Sequence, residues 1–126
     1  MPSHAQHIAK CKSNLAFVTF AEGAGDAFLD WVILGYFLTS LHHVEAYFDV
    51  FFGQHYGNHV TRRRAVDKDT RLAPFFNDYR RLEIYSQTAR YGVKRFDKSY
   101  IQRRVMPHFK QLRNAIESFD PSLKLT

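Results

Sequence analysis

The chain has a single cysteine, Cys11, in 126 residues, so a disulfide framework is excluded and a reducing cytoplasm fits. Four prolines and six glycines are too few for a collagen-like, linker-like or low-complexity protein. Long apolar runs are missing too. The longest candidate, Ala27 to Phe52, contains Asp30, His42, His43, Glu45 and Asp49, groups costly in lipid, so no membrane helix is expected. The opening Met-Pro-Ser-His-Ala-Gln-His lacks the cationic and apolar regions of a secretory signal, and the expected location is the cytoplasm. No Walker loop, Rossmann glycine pattern, CxxC pair, nucleophile elbow or Ser/His/Asp arrangement is found; no cofactor and no bound metal are expected.

What is present is an ordinary globular composition, 45% hydrophobic and 24% charged, in a length that forms one domain over residues 1–126 with a single core. The charge is unevenly placed. Residues 1–59 carry two Lys and five acids, net −3; residues 60–113 carry fifteen Lys or Arg against five acids, net +10; residues 114–126 are net −1. A basic half of this density attracts polyanions such as RNA, DNA or nucleotide phosphates, or it is a set of solvated helix faces whose Arg stems cover core edges.

Apolar spacing of three and four residues recurs throughout, and sustained period-two alternation does not. The first helix is expected over 4–21, with Ile8, Cys11, Leu15 and Val18 inward. Asp26 is a suitable N-cap for a second helix over 26–52, stopped by Gly53. Its apolar residues, Trp31 among them, cover most of the circumference, so it should be central or buried by a second subunit. A short helix over 60–66 follows the Gly57-Asn58 turn. The third long helix, 70–91, places Leu72, Phe75, Phe76, Tyr79, Leu82, Ser86 and Ala89 on one stripe and Asp78, Arg80, Arg81, Glu83 and Gln87 outside. The last helix, 98–119, turns Ile101, Val105, Phe109, Leu112, Ile116 and Phe119 inward, and Pro107 should kink or break it. The pattern specifies an all-α, up-and-down four- to five-helix bundle.

Three constellations carry possible chemistry. His42 and Glu45, three apart on the second helix, share a face and could join His55 or His59 as imidazole and carboxylate ligands of a metal, or satisfy each other in the core. His59 and Arg62, followed by Arg63 and Arg64, stand at a helix start and suit an anion; alternatively His59 caps the turn and Arg62 pairs with Glu45 or Asp49. Arg103 and His108 form Arg-x4-His, in which His would act as general acid or base on a ribose 2′-OH and Arg would stabilise phosphate charge. With eleven Arg and seven His in the chain, about two such spacings arise by chance.

The order Asp30-Trp31, Leu41-His42, Glu45-Ala46-Tyr47, Gly53, His59-x2-Arg62, Tyr79-x2-Leu82-x3-Ser86 and Ala89-Arg90-Tyr91 resembles the HEPN superfamily (higher eukaryotes and prokaryotes nucleotide-binding), most closely its small stand-alone prokaryotic members. The resemblance spans about residues 5 to 118. It implies a HEPN-like bundle, usually a homodimer, that binds nucleotide or RNA in a toxin–antitoxin or phage-defence setting. Alternatives are a metal-independent endoribonuclease using Arg103 and His108, and a non-catalytic partner of a nucleotidyltransferase-like protein. The candidate phosphate-binding residues are His59, Arg62, Arg63 and Arg90, and the polar network is His42, Glu45 and Tyr79. The sequence departs from the family's RNase motif in placing Arg104 after Arg103 and Pro107 before His108.

Overall fold

A computed structural model describes residues 2–93 and 95–126 and contains, among those residues, helices and no strand. Helix α1 is His4–Gly23, α2 Leu29–Phe52, α3 His59–Lys68 and α4 Phe76–Tyr91; α5 is a rod built from Lys98–Tyr100, Ile101–Val105 and Met106–Phe119. The all-α bundle stands as the sequence specified it. No helix among the described residues is long and apolar enough to cross a membrane.

Helix α1 starts on a capping box: the Ser3 hydroxyl accepts the Gln6 N–H and the Gln6 side chain accepts the Ser3 N–H, satisfying two donors that a helix start leaves orphaned. It pairs with α2 as an antiparallel hairpin whose register is set by small contacts. Val18 lies against the Cα of Gly35, where a Cβ would stand 2.4 Å from Val18 Cγ2. The Cys11 thiol, 0% exposed, donates to the Thr39 carbonyl at 3.3 Å. The same register brings His7 opposite His42 and the His4 N–H onto Asp49 at 2.8 Å.

Helix α2 is central, packing on α1, α4 and α5. Val32, Ile33, Phe37, Val44, Tyr47 and Phe48 are buried along it, with Phe37 against Tyr79 of α4 and Tyr36 against Phe109 of α5. Trp31 departs from this set at 54% exposure, because it lies on the first turn of α2, where no element covers that face. Gly53 ends α2 in the left-handed region at φ 61°, a conformation nearly free of cost only for glycine. The chain therefore folds back, bringing His55 and Tyr56 over the α2 surface they have just left.

Several boundaries differ from the sequence reading. Asp26 does not cap α2; it sits in a 3-10 turn, Gly25–Phe28, and α2 starts after Phe28 without a side-chain cap. Helix α1 runs two residues further than expected, and the short helix extends over His59–Lys68, capped by Asn58 on the Thr61 N–H rather than by His59. The helix expected from residue 70 begins only at Phe76. Asp69 holds the preceding turn by accepting the N–H groups of Arg71 and Leu72 and the Tyr47 hydroxyl, and a 3-10 turn with Pro74 leads in. The helical run from Lys98 to Phe119 continues through Pro107, but the turns before it are altered. Residues Ile101–Val105 form a π segment in which Met106 N–H donates five residues back to Ile101. Widening the turn before a proline accommodates its missing donor and its ring.

Candidate functional sites

Two buried carboxylates, Glu45 and Glu83, organise a polar cluster around α3. Glu45, 3% exposed on α2, accepts Arg62 Nε at 2.7 Å and the Tyr56 N–H at 3.2–3.3 Å. Arg62 also donates to the Tyr56 carbonyl at 2.7 Å and lies 3.4 Å from His59 Nδ1. This arrangement staples α3 and the loop after Gly53 onto α2. Arg62 is thus a buried structural cation, as one of the sequence alternatives held. Tyr79 is buried with its hydroxyl facing the Arg62 guanidinium without a well-formed hydrogen bond, and burial raises its pKa.

Glu83, 1% exposed, was expected outside. It accepts Arg63 Nε at 2.8 Å and Arg80, with His59 Nδ1 3.7 Å away. Burial at α4 is possible because three cationic or ionisable side chains converge on it, two of them from α3. Arg63, like Arg62, is therefore engaged by a carboxylate. His59 and Arg90 remain exposed and line one open cavity with Gln87, Thr88 and Tyr91; Arg90 lies 5.2 Å over the Tyr91 ring. Burial and the adjacent Arg62 lower the His59 pKa. The four expected phosphate-binding residues thus divide, two at this opening and two in ion pairs.

His42 does not join Glu45. It faces α1, where its Nδ1 is 3.0 Å from His7 Nδ1, and burial, then His7, Lys10 and Arg62, push its pKa down to about 4. His55 fills the Glu45 neighbourhood instead, with Nδ1 3.9 Å from Glu45 Oε2 and Nε2 3.1 Å from Asp49 Oδ1. The metal set drawn from His42 with His55 or His59 is accordingly not assembled. His7 is the residue missed: it lies on the inward stripe of α1 beside Ile8 and Cys11, and only its polarity there signalled it.

A second cluster forms where α4 and α5 run antiparallel. Asp78, 7% exposed, was also expected outside; it accepts His108 Nδ1 at 2.7 Å. On α4, Arg81 and Tyr85 follow Asp78 at helical spacing; on α5, Tyr100, Arg104 and His108 recur every four residues and share a face. The Tyr85 ring is 5.9 Å from Tyr100 and 6.3 Å from His108. Burial first, and then Tyr100, raise the Tyr85 pKa, against the lowering effect of Arg81 and Arg104. Arg103 points elsewhere, exposed, with Nε on the Ser99 carbonyl at 3.4 Å. Arg103 and His108 thus engage different partners, the Ser99 carbonyl and Asp78. Arg104, four residues before His108, is close enough to Tyr85 to exert a lowering effect on its pKa. The His108–Asp78 bond uses Nδ1 and leaves the other imidazole nitrogen, Nε2, outside it.

Compared with known proteins, the chain matches no protein-family model, no curated protein and no solved structure.

Proposed function

We propose that this protein is a HEPN-like helical protein that binds nucleotide or RNA through the basic face of α4 and α5, in the toxin–antitoxin or phage-defence setting that the sequence resemblance implies. The observation that carries the reading is the make-up of one α4–α5 face: the Tyr85 and Tyr100 rings in edge contact, with Arg81 and Arg104 close enough to act on Tyr85, neither arginine making an ion pair among the described residues. Aromatic rings between unpaired guanidinium groups suit bases stacked along a phosphate backbone. Arg62, Arg63 and Arg80, by contrast, are held by buried carboxylates. The phosphate-binding role expected at Arg62 and Arg63 therefore passes to Arg81 and Arg104, with His59 and Arg90 a separate opening. Fluorescence anisotropy with a labelled single-stranded RNA tests this. Tyr85→Ala should weaken binding roughly tenfold, the worth of one stacked base, whereas Lys12→Ala on exposed α1 should not. Equal affinities in all three proteins would defeat the reading.

One observation favours a second reading, a metal-independent endoribonuclease. His108 is oriented by a buried carboxylate, as a general acid or base requires, and Arg104 is placed to stabilise phosphate charge. In this version Arg104, rather than Arg103, accompanies His108. Unchanged cleavage of a generic RNA by His108→Ala would dismiss it. The expected homodimer has a candidate surface in Phe17, Phe20, Phe28 and Trp31, 46–74% exposed at one end of the α1–α2 hairpin; sedimentation of Phe20→Glu against the parent chain tests it. The nucleotidyltransferase-like partner has no comparable feature to support it.

A further inference from the structure

The cluster between α1, α2 and the loop after Gly53 contains more polar capacity than its hydrogen bonds use. His7 is 6% exposed, and its Nε2 is buried without a hydrogen-bond partner; the same holds for His55 Nδ1. One ligand atom from each of His7, Glu45 and His55 lies within 4.8 Å of the other two. Of the two Glu45 oxygens, Oε1 accepts Arg62, while Oε2, which shares the Tyr56 N–H at 3.2 Å, stands 3.9 Å from His55 Nδ1. That gap is too long for a hydrogen bond. It is close to the separation of about 3.3 Å between two ligands of one tetrahedral ion with bonds of 2.0–2.1 Å.

We infer that His7 Nε2, Glu45 Oε2 and His55 Nδ1 form a binding site for a divalent transition-metal ion of the zinc class. Two imidazoles and one carboxylate are a donor set that such ions take, with a fourth position left for water or a ligand. The surroundings are built in the way that metal-ligating histidines require. The other nitrogen of His55 is on the Asp49 carboxylate at 3.1 Å, and that of His7 is on His42 at 3.0 Å, so each ring is oriented from behind. His55 lies on the loop released by Gly53 and can close the remaining distance without moving a helix.

The fixed charges around the donors are balanced, so the ion adds no like-charge crowding at Glu45 itself: Arg62 engages the opposite oxygen of Glu45, and Asp49 is reached by His4 at 3.8 Å from the outside. Lys10 is the other cation facing this end. An opening lined by Pro2, Gln6, His7, Lys10 and His42 leads from solvent to His7, providing the entry path. The site is separate from the α4–α5 groove, and its test is independent of any RNA or nucleotide.

Calorimetric titration of the metal-stripped full chain with Zn2+, and with Co2+ followed by its visible absorption, decides the inference. One ion per chain is expected, with Co2+ bands of low coordination number. His55→Ala should lower affinity by more than about 100-fold and Asp49→Asn by roughly 10- to 100-fold, while His4→Ala should leave it unchanged. His55 is on a loop and its replacement should fold; circular dichroism confirms this, and His7→Gln provides the helix-borne counterpart. No stoichiometric binding, or affinity unchanged in both His55→Ala and His7→Gln, overturns the site. A loss confined to His4→Ala would place the ion on the amino-terminal segment and equally overturn it.

Discussion

The contact between Val18 and Gly35 sets the register on which the His7 cluster depends, and one methyl group tests it. In Gly35→Ala the new Cβ would stand 2.4 Å from Val18 Cγ2, more than an ångström inside normal contact. Val18 is 2% exposed and branched at Cβ, so it has little room to rotate away. Overpacking of this kind costs about 1–3 kcal/mol, against about 1 kcal/mol gained by replacing glycine with alanine inside a helix. The expected net loss is therefore up to about 2 kcal/mol. Val18→Ala alone should cost about 2 kcal/mol through lost burial and a small cavity. It also removes the clashing methyl, so the double variant should be no less stable than Val18→Ala. Urea unfolding of the four proteins then gives a coupling of at least about 1 kcal/mol. Additivity within about 0.5 kcal/mol would refute the register, and with it the placement of His7 beside Glu45.

Further outcomes are expected elsewhere. Glu45→Gln leaves the Arg62 charge buried without its counter-ion and should destabilise the fold by about 3–5 kcal/mol in chemical denaturation; a loss below 1 kcal/mol would mean that Arg62 reaches solvent. Gly53→Ala forces a Cβ into the left-handed region and should cost about 1–2 kcal/mol, read as a lower thermal midpoint. His43 is 1% exposed with Nε2 on the Leu123 carbonyl at 2.7 Å, and burial pushes its pKa down to about 4 despite that bond. The unfolded chain therefore takes up the proton first. The contribution of His43 is fully present above pH about 6.5 and is lost as pH falls from there towards about 4, by up to about 3 kcal/mol. His43→Gln should flatten that part of the pH–stability curve for the metal-stripped protein; an unchanged curve would show that His43 is not the group responsible.

The sequence made the apolar architecture legible because burial along a helix repeats every three or four residues. Ile8, Cys11 and Val18 of α1, and Ile101, Val105, Phe109, Leu112 and Ile116 of α5, are all buried as that spacing required. Polar burial has no such period. Asp78 and Glu83 occupy positions that helical spacing assigns to solvent, and they are enclosed because His108 comes from α5 and Arg63 from α3. Those partners lie 30 and 20 residues away, so no local pattern announces them. The same reasoning explains the site residues. Glu45 and Arg62 are both visible as polar interruptions, and their pairing is one of the alternatives that the sequence offers. His7 was hidden within an inward stripe, and its meeting with Glu45 and His55 depends on the α1–α2 register and on the reversal at Gly53. The Arg103–His108 spacing shows how little an interval alone conveys: Arg103 turns back onto the Ser99 carbonyl, and His108 reaches across to Asp78.

If an RNA or nucleotide phosphate backbone lies across the α4–α5 face, as proposed, the salt dependence of binding must report the arginines there. Affinity for a labelled single-stranded RNA should be measured by anisotropy over a series of salt concentrations for the parent chain and for the Arg81→Ala/Arg104→Ala variant. Each phosphate contact on a single strand contributes about 0.7 to the slope of log affinity against log salt. The account predicts weaker binding and a slope shallower by about 1.4 in the variant. The same affinity and slope in both proteins would contradict it.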